Sequence, residues 1–136
     1  GVDALLREYA QECGIAGLPK PNAEWLTYAR LEHHGALHAA GAYLDGSLVG
    51  FCIVLVSLNP HYSALLAVTE SLFVAAAHRG TGAGLALLRE AEAVARHRGA
   101  VGLLVSAPTG GSLAAVLERS KGFQETNRVF FRELRP

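Results

Sequence analysis

Cysteine is scarce in this chain of 136 residues: Cys13 and Cys52 are the only two, with neither pairing nor metal-ligand spacing. That excludes a disulfide scaffold and a cysteine zinc centre, and it suits a reducing compartment with two thiols in or near the core. Net charge is lacking too. Twelve Lys and Arg balance twelve Asp and Glu, without a basic run, which removes the electrostatic footprint expected of a nucleic-acid or anionic-membrane partner. No apolar run reaches about eighteen residues and no signal-peptide layout is present, so the chain reads as cytoplasmic, with no membrane association. Among His33, His34, His38, His61, His78 and His97 no pair stands at helical metal-binding spacing with an acid between its members, so no metal is expected. Repeats, linkers and low-complexity segments are missing as well. Length then gives one domain, residues 1–136, and 51% apolar residues supply a substantial core.

What is there alternates between helical and strand periodicity. Val2, Leu5, Leu6, Tyr9, Ala10 and Cys13 recur at helical spacing up to Gly14, and the Gly- and Pro-rich residues 14–21 form a loop. Asn22 is placed to cap a second helix with Trp25, Leu26 and Ala29, and Trp25 and Tyr28 read as its core face. Strand formers fill 36–44 and 48–58 around Asp45-Gly46, a strong hairpin signal. Residues 65–75 are almost continuously apolar, which predicts a central strand buried on both faces. A helix over 82–98 follows, with Gly84, Leu87, Leu88, Ala91 and Ala95 on one face and Gly99 just past its end. Residues 101–106 read as a short strand parallel to the central one through a right-handed crossover. Ser112 is placed to cap a short helix that stops at Gly122, and 123–134 reads as a last strand, or two.

The chain is organised around Glu70-Ser-Leu-Phe-Val-Ala-Ala-Ala-His-Arg-Gly-Thr-Gly-Ala-Gly84, where an apolar strand runs through a glycine turn into a helix. The first turn of a helix has N–H groups without intrahelical partners and carries partial positive charge, so an anion binds there. Glycines let the backbone take positive φ and let a phosphate approach without meeting a Cβ, and Arg79 adds a cation. Two phosphate signatures do not fit. A P-loop needs Lys and Ser or Thr where Ala83 and Gly84 stand, and a dinucleotide fingerprint starting at Gly80 lacks its third glycine because position 85 is Leu85. A plain glycine turn joining strand to helix is the remaining local alternative.

Arg79, Gly82 and Gly84, preceded by Leu72 and Val74 at the strand end, resemble motif A of the GCN5-related N-acetyltransferases (GNAT), Arg/Gln-x-x-Gly-x-Gly/Ala after Leu-x-Val. The order of helices and strands is also that of the GNAT fold, so the resemblance spans essentially the whole chain. It implies an α/β (α+β) single domain with a mixed, mostly antiparallel sheet, a central parallel strand pair splayed at the cofactor site, and helices on both faces. It further implies that acetyl-CoA is the co-substrate. Its pyrophosphate would lie on Arg79, Gly80, Thr81, Gly82, Ala83 and Gly84, and its pantetheine arm along Leu72, Phe73 and Val74. A homodimer is among the assemblies it allows.

Acyl transfer from a thioester to an amine needs a held donor, a neutral amine and stabilisation of the oxyanion. An alkyl amine with a pKa of about 10 arrives protonated at neutral pH, so a base is required. Glu70 is the candidate: it stands alone in an apolar strand, four residues before Val74 and so expected on the same face, and in several relatives a glutamate at this offset is assigned as base. The bland alternative is an acid that only pairs with an arginine. Two residues depart from the family pattern, with Glu118 where a tyrosine acid is common and Gly111 where an asparagine is common. Tyr62, Ser106 or solvent would then protonate the leaving thiolate, and His61 with Tyr62 is placed to line the acceptor site. The expected activity is acetyl transfer from acetyl-CoA to a primary amine, on a small molecule or a protein, by direct attack. A non-catalytic CoA-binding or interaction module with the same fold is the alternative.

Overall fold

The periodicities translate into elements with few exceptions in the computed structural model, which describes residues 1–134. In chain order these are α1 (Val2–Cys13), α2 (Trp25–His33), β1 (Leu37–Leu44), β2 (Ser47–Asn59), β3 (Ala64–Val74), a 3₁₀ turn at Ala76–His78, α3 (Ala83–His97), β4 (Leu103–Leu104) and α4 (Ser112–Arg119). The strands form one sheet in the order β1-β2-β3-β4, antiparallel except for the parallel β3–β4 pair. Asp45 and Gly46 close the first hairpin with φ of 50° and 79°, the doubly left-handed backbone that matches the twist of the flanking strands. β3 lies inside the sheet, as its apolar run requires. Leu65, Leu66 and Val68 at its start are nevertheless only partly covered.

Each face of the sheet is closed by a helix whose apolar stripe fits it. α3 buries Leu87, Leu88, Ala91 and Ala95, and the first, third and fourth of these pack on Cys52, Val54, Val56, Ala67 and Val74. The helix stops where Gly99 takes φ 78° and the Ala100 N–H donates back to the Ala95 carbonyl, which satisfies a terminal carbonyl. On the other face α1 brings Leu5 and Tyr9 onto Phe51, Phe73 and Ala75. The Tyr9 ring meets Phe51 and Phe73 edge-on at 5.4 and 5.5 Å, the favoured aromatic geometry. Burying a Leu or Phe stabilises by about 1.5–3 kcal/mol, so these two clusters hold the sheet from both sides.

Several boundaries differ from the sequence expectation. α2 is capped by Glu24, whose carboxylate accepts from the Thr27 N–H at 2.8 Å and from the Thr27 hydroxyl; Asn22 lies two residues too early. Trp25 therefore sits in the first turn and is 60% exposed, so it is not core. Gly111, with extended backbone, takes the N-cap of α4 in place of Ser112, and that helix ends at Arg119 rather than Gly122. The largest difference is at the C-terminal end. Residues 123–134 are apolar and polar by turns around Val129, Phe130 and Phe131, yet none is in a strand, and Val129 and Phe130 are 88% and 87% exposed. β4 is only two residues long, so a further strand finds no ladder beside it, and strand propensity without a partner does not make a strand.

Candidate active site

The middle of β3 carries a bulge at Glu70. Val54 pairs with Thr69 and Ile53 with Ser71, which leaves Glu70 without a partner on β2. An extra residue reverses the alternation of faces. Before it Ala67 packs under α3; after it Leu72 and Val74 do so, while Phe73 and Ala75 pack towards α1. Glu70 consequently does not share the Val74 face that uninterrupted alternation predicts. It points to the α1–α2 side, where its Oε1 accepts from the Tyr28 hydroxyl at 2.8 Å and its Oε2 from the Ser71 hydroxyl at 3.0 Å.

Charge on that carboxylate is felt by its neighbours. Partial burial, then the hydrogen bond to Glu70 and its charge, push the Tyr28 phenol up to about 12, so it stays a proton donor throughout the neutral range. Tyr9 is raised as well, first by burial and then by Glu70. Both thiols are raised by burial, Cys52 to about 11, which makes neither a nucleophile at neutral pH.

Immediately before the bulge the parallel strands part. β4 pairs with β3 only at Ala67–Leu103 and Val68–Leu104, flanked by the bonds Ala67 N–H to Gly102 carbonyl and Val101 N–H to Leu65 carbonyl. One step on, the Ser106 N–H donates to the buried Thr69 hydroxyl at 3.2 Å, so a side chain replaces the backbone acceptor. Beyond that point β3 has no strand neighbour on this side among the described residues. Because the Ala75 N–H bonds to Val49 on β2, alternation turns the polar groups of Leu72 and Val74 towards the opening. The strand pair is thus splayed where expected, though β4 is far shorter than residues 101–106.

The glycine turn lies at the end of the same opening. Gly80 and Gly82 have φ of 84° and 90°, and Gly82 is the N-cap of α3. Among the described residues, no protein acceptor receives the N–H groups of Gly80, Thr81, Gly82, Ala83, Gly84 or Leu85. The Thr81 hydroxyl donates to the His78 carbonyl at 2.6 Å, which ties the turn internally. A Cβ on Gly80 or Gly82 would meet nothing within 4 Å, and one on Gly84 would only touch Val74 at 3.8 Å. An open shell of unpaired N–H groups at a helix start is an anion cradle. Arg79, expected to add a cation there, is turned away. Its Nε donates to the Val74 carbonyl at 3.0 Å, its Nη2 reaches Glu12 at 2.7–2.8 Å, and it stacks on the Phe73 ring. The Glu12 hydrogen bond raises its pKa further, and Glu8 accepts from the Ala76 N–H at 2.8 Å, so α1 braces the turn.

Other expected contributors lie elsewhere. His61 and Tyr62 meet edge to face in the turn between β2 and β3, at the opposite end of β3 and roughly 25 Å of strand from Glu70, so they do not line this site. Ser106 stands at the parting point, and Glu118 is exposed on α4. Among the described residues no cluster of three or more His, Cys, Asp or Glu could hold a metal, and no helix is long and apolar enough to cross a membrane. Sequence reasoning missed Tyr28 and Ser71. A half-buried phenol and an acid in an apolar strand each need a partner, but periodicity does not say that they are each other's.

A strand pair opened beside a helix start with unpaired N–H groups offers a groove that ends in an anion-suited turn, and the sequence profile of the Acetyltransferase (GNAT) family matches residues 2–123. The chain belongs to that family. The ribosomal-protein-alanine N-acetyltransferase of Brucella melitensis biovar Abortus 2308 superposes with a TM-score of 0.69 at 25% identity, covering 95% of this chain and 87% of that one. An aminoglycoside acetyltransferase from an uncultured soil metagenomic sample gives 0.74 at 20% identity over 98% and 88%. The aminoglycoside 6'-N-acetyltransferase AAC(6')-IG of Acinetobacter haemolyticus gives 0.67 at 19% over 98% and 94%. No curated protein sequence matches.

Proposed function

We propose that the protein transfers an acetyl group from acetyl-CoA to a primary amine by direct attack, with Glu70 as general base. One observation carries this reading: the only acid in β3 stands at the bulge, beside the parted strands and the six unpaired N–H groups of residues 80–85. Acetyl-CoA fits that arrangement. The backbone of Gly80 to Gly84 would hold the pyrophosphate, the backbone of Leu72 and the N–H of Val74, turned towards the opening beside Phe73, would hold the pantetheine amides, and the thioester supplies the acyl group. Arg79 would contribute its backbone, since its guanidinium is engaged by Glu12.

Glu70 has two hydroxyl donors and keeps free lone pairs on both oxygens, so an ammonium can be received there. The carboxylate takes one proton from the ammonium, directly or through water; the neutral amine forms the C–N bond as the C–S bond breaks, the nitrogen then loses its second proton to solvent to give the amide, and the departing thiolate is protonated by solvent or from the Ser106 side. Glu118 and Gly111 favour a second reading, a module that binds CoA without turnover. Release of free thiol from acetyl-CoA, measured with a panel of small amines, aminoglycosides and peptides with free α-amines, separates the two. Amine-dependent thiol release supports the enzyme, and CoA binding without thiol release supports the module. The same panel divides small-molecule from protein acceptors.

A further inference from the structure

We propose that Tyr28 is the positioning residue for Glu70, an assignment that rests on the general-base reading above. The geometry is specific. Glu70 lies in a bulge, where strand pairing does not fix the residue, and its side chain is exposed. Ser71 restrains Oε2 at 3.0 Å, but it is the adjacent residue and moves with the same strand. The Tyr28 hydroxyl is the restraint that comes from another element, reaching Oε1 at 2.8 Å across 42 residues of sequence. Tyr28 is itself held: the Trp25 ring lies 5.8 Å away one helical turn earlier, and α2 is capped firmly at Glu24. The titratable groups facing the carboxylate are Tyr28 from α2 and Tyr9 from α1. Tyr9 feels the charge of Glu70 without a hydrogen bond to it, whereas Tyr28 donates one.

The chemical consequence is positional. A phenol that donates to a carboxylate fixes its direction, and aim matters steeply for proton transfer. Tyr28 is not consumed: it donates a hydrogen bond before and after the proton moves to Glu70.

Tyr28→Phe keeps the ring and its contact with Trp25 and removes only the donor. The expected result is a loss of about tenfold in kcat/KM for the amine, the scale of one hydrogen bond to a charged group. The KM for acetyl-CoA and the melting temperature should be unchanged, so that the loss falls on the amine step alone. In a Glu70→Gln background the same change should cost nothing further, since its target is gone. A second readout needs no turnover: the ¹³C-carboxyl NMR signal of Glu70 should be displaced in Tyr28→Phe relative to the wild type, because the carboxylate loses a hydrogen-bond donor. A wild-type kcat/KM and an unmoved Glu70 carboxyl signal in the variant overturn the proposal, as does a full tenfold loss in the Glu70→Gln background. A wild type that acetylates no amine overturns the general-base reading instead, and it is recognised before any variant is made.

Discussion

At the scale of single residues, the chemistry depends on where one carboxylate points. Glu70 was legible as the lone acid of an apolar strand, but its direction was not, because a bulge leaves no mark in composition and strict alternation puts the side chain on the wrong face. Glu70→Gln should lower kcat/KM by about 10² to 10⁴, the usual contribution of a positioned base, with acetyl-CoA affinity nearly unchanged. The sign of the pH effect is set by the substrate: as pH rises towards an amine pKa of about 10 the neutral fraction grows, so the variant should recover part of its rate in alkaline buffer. A folded variant with wild-type activity at neutral pH would remove Glu70 from the mechanism. Gly82 is the other decisive residue. Its φ of 90° is one that a β-branched side chain resists, while its surroundings are open, so Gly82→Val should cost about 1–3 kcal/mol of stability through the backbone. It should also abolish CoA binding, because the added side chain stands where the anion would sit. Isothermal titration with CoA on the folded variant checks this, and unchanged affinity would rule the cradle out.

At the scale of elements, strands and helices with a clear apolar period were readable almost to the residue, since α3, β2 and β3 each bury the face that their pattern draws. The segment 123–134 was not readable, because a strand needs a neighbour and β4 is too short to be one. Contact between elements yields its own prediction at Gly50. A Cβ there would stand 2.7 Å from the Phe73 carbonyl, 3.1 Å from Val74 and 3.2 Å from Leu87, so it would wedge β2 from β3 under α3. Gly50→Ala should destabilise by about 1–3 kcal/mol, as overpacking does, and a shift of several degrees in melting temperature measures it. It should weaken CoA binding too, because Val74 lies at the mouth of the opening. A variant with wild-type melting temperature would show that the sheet can yield at that point.

At the scale of the whole molecule, the two apolar clusters make one half of the sheet rigid, while the other half is opened between β3 and β4. α1 spans from the second cluster to the glycine turn through Glu8 and the Glu12–Arg79 pair. That pair is partly exposed and worth less than about 1 kcal/mol, so its effect is orientation rather than stability. None of this bracing was legible in the sequence, because Glu12 and Arg79 are separated by 67 residues.

The parting of β3 from β4 after Thr69 also writes a kinetic signature into the backbone. Amide protons engaged in the sheet exchange slowly with deuterated solvent and unengaged ones exchange fast. The amides of Ala67 and Val101, bonded to Gly102 and Leu65, should therefore be slow in the free protein and in its CoA complex alike. Those of Leu72, Val74 and Gly80 to Leu85 should exchange rapidly at first and slow markedly once CoA is added, tracing the ligand's path amide by amide. Slowing confined to the turn between β2 and β3 would place the ligand at the wrong end of the sheet. The footprint needs no acceptor amine, so the opened strand pair reports occupancy of the site before the second substrate is known.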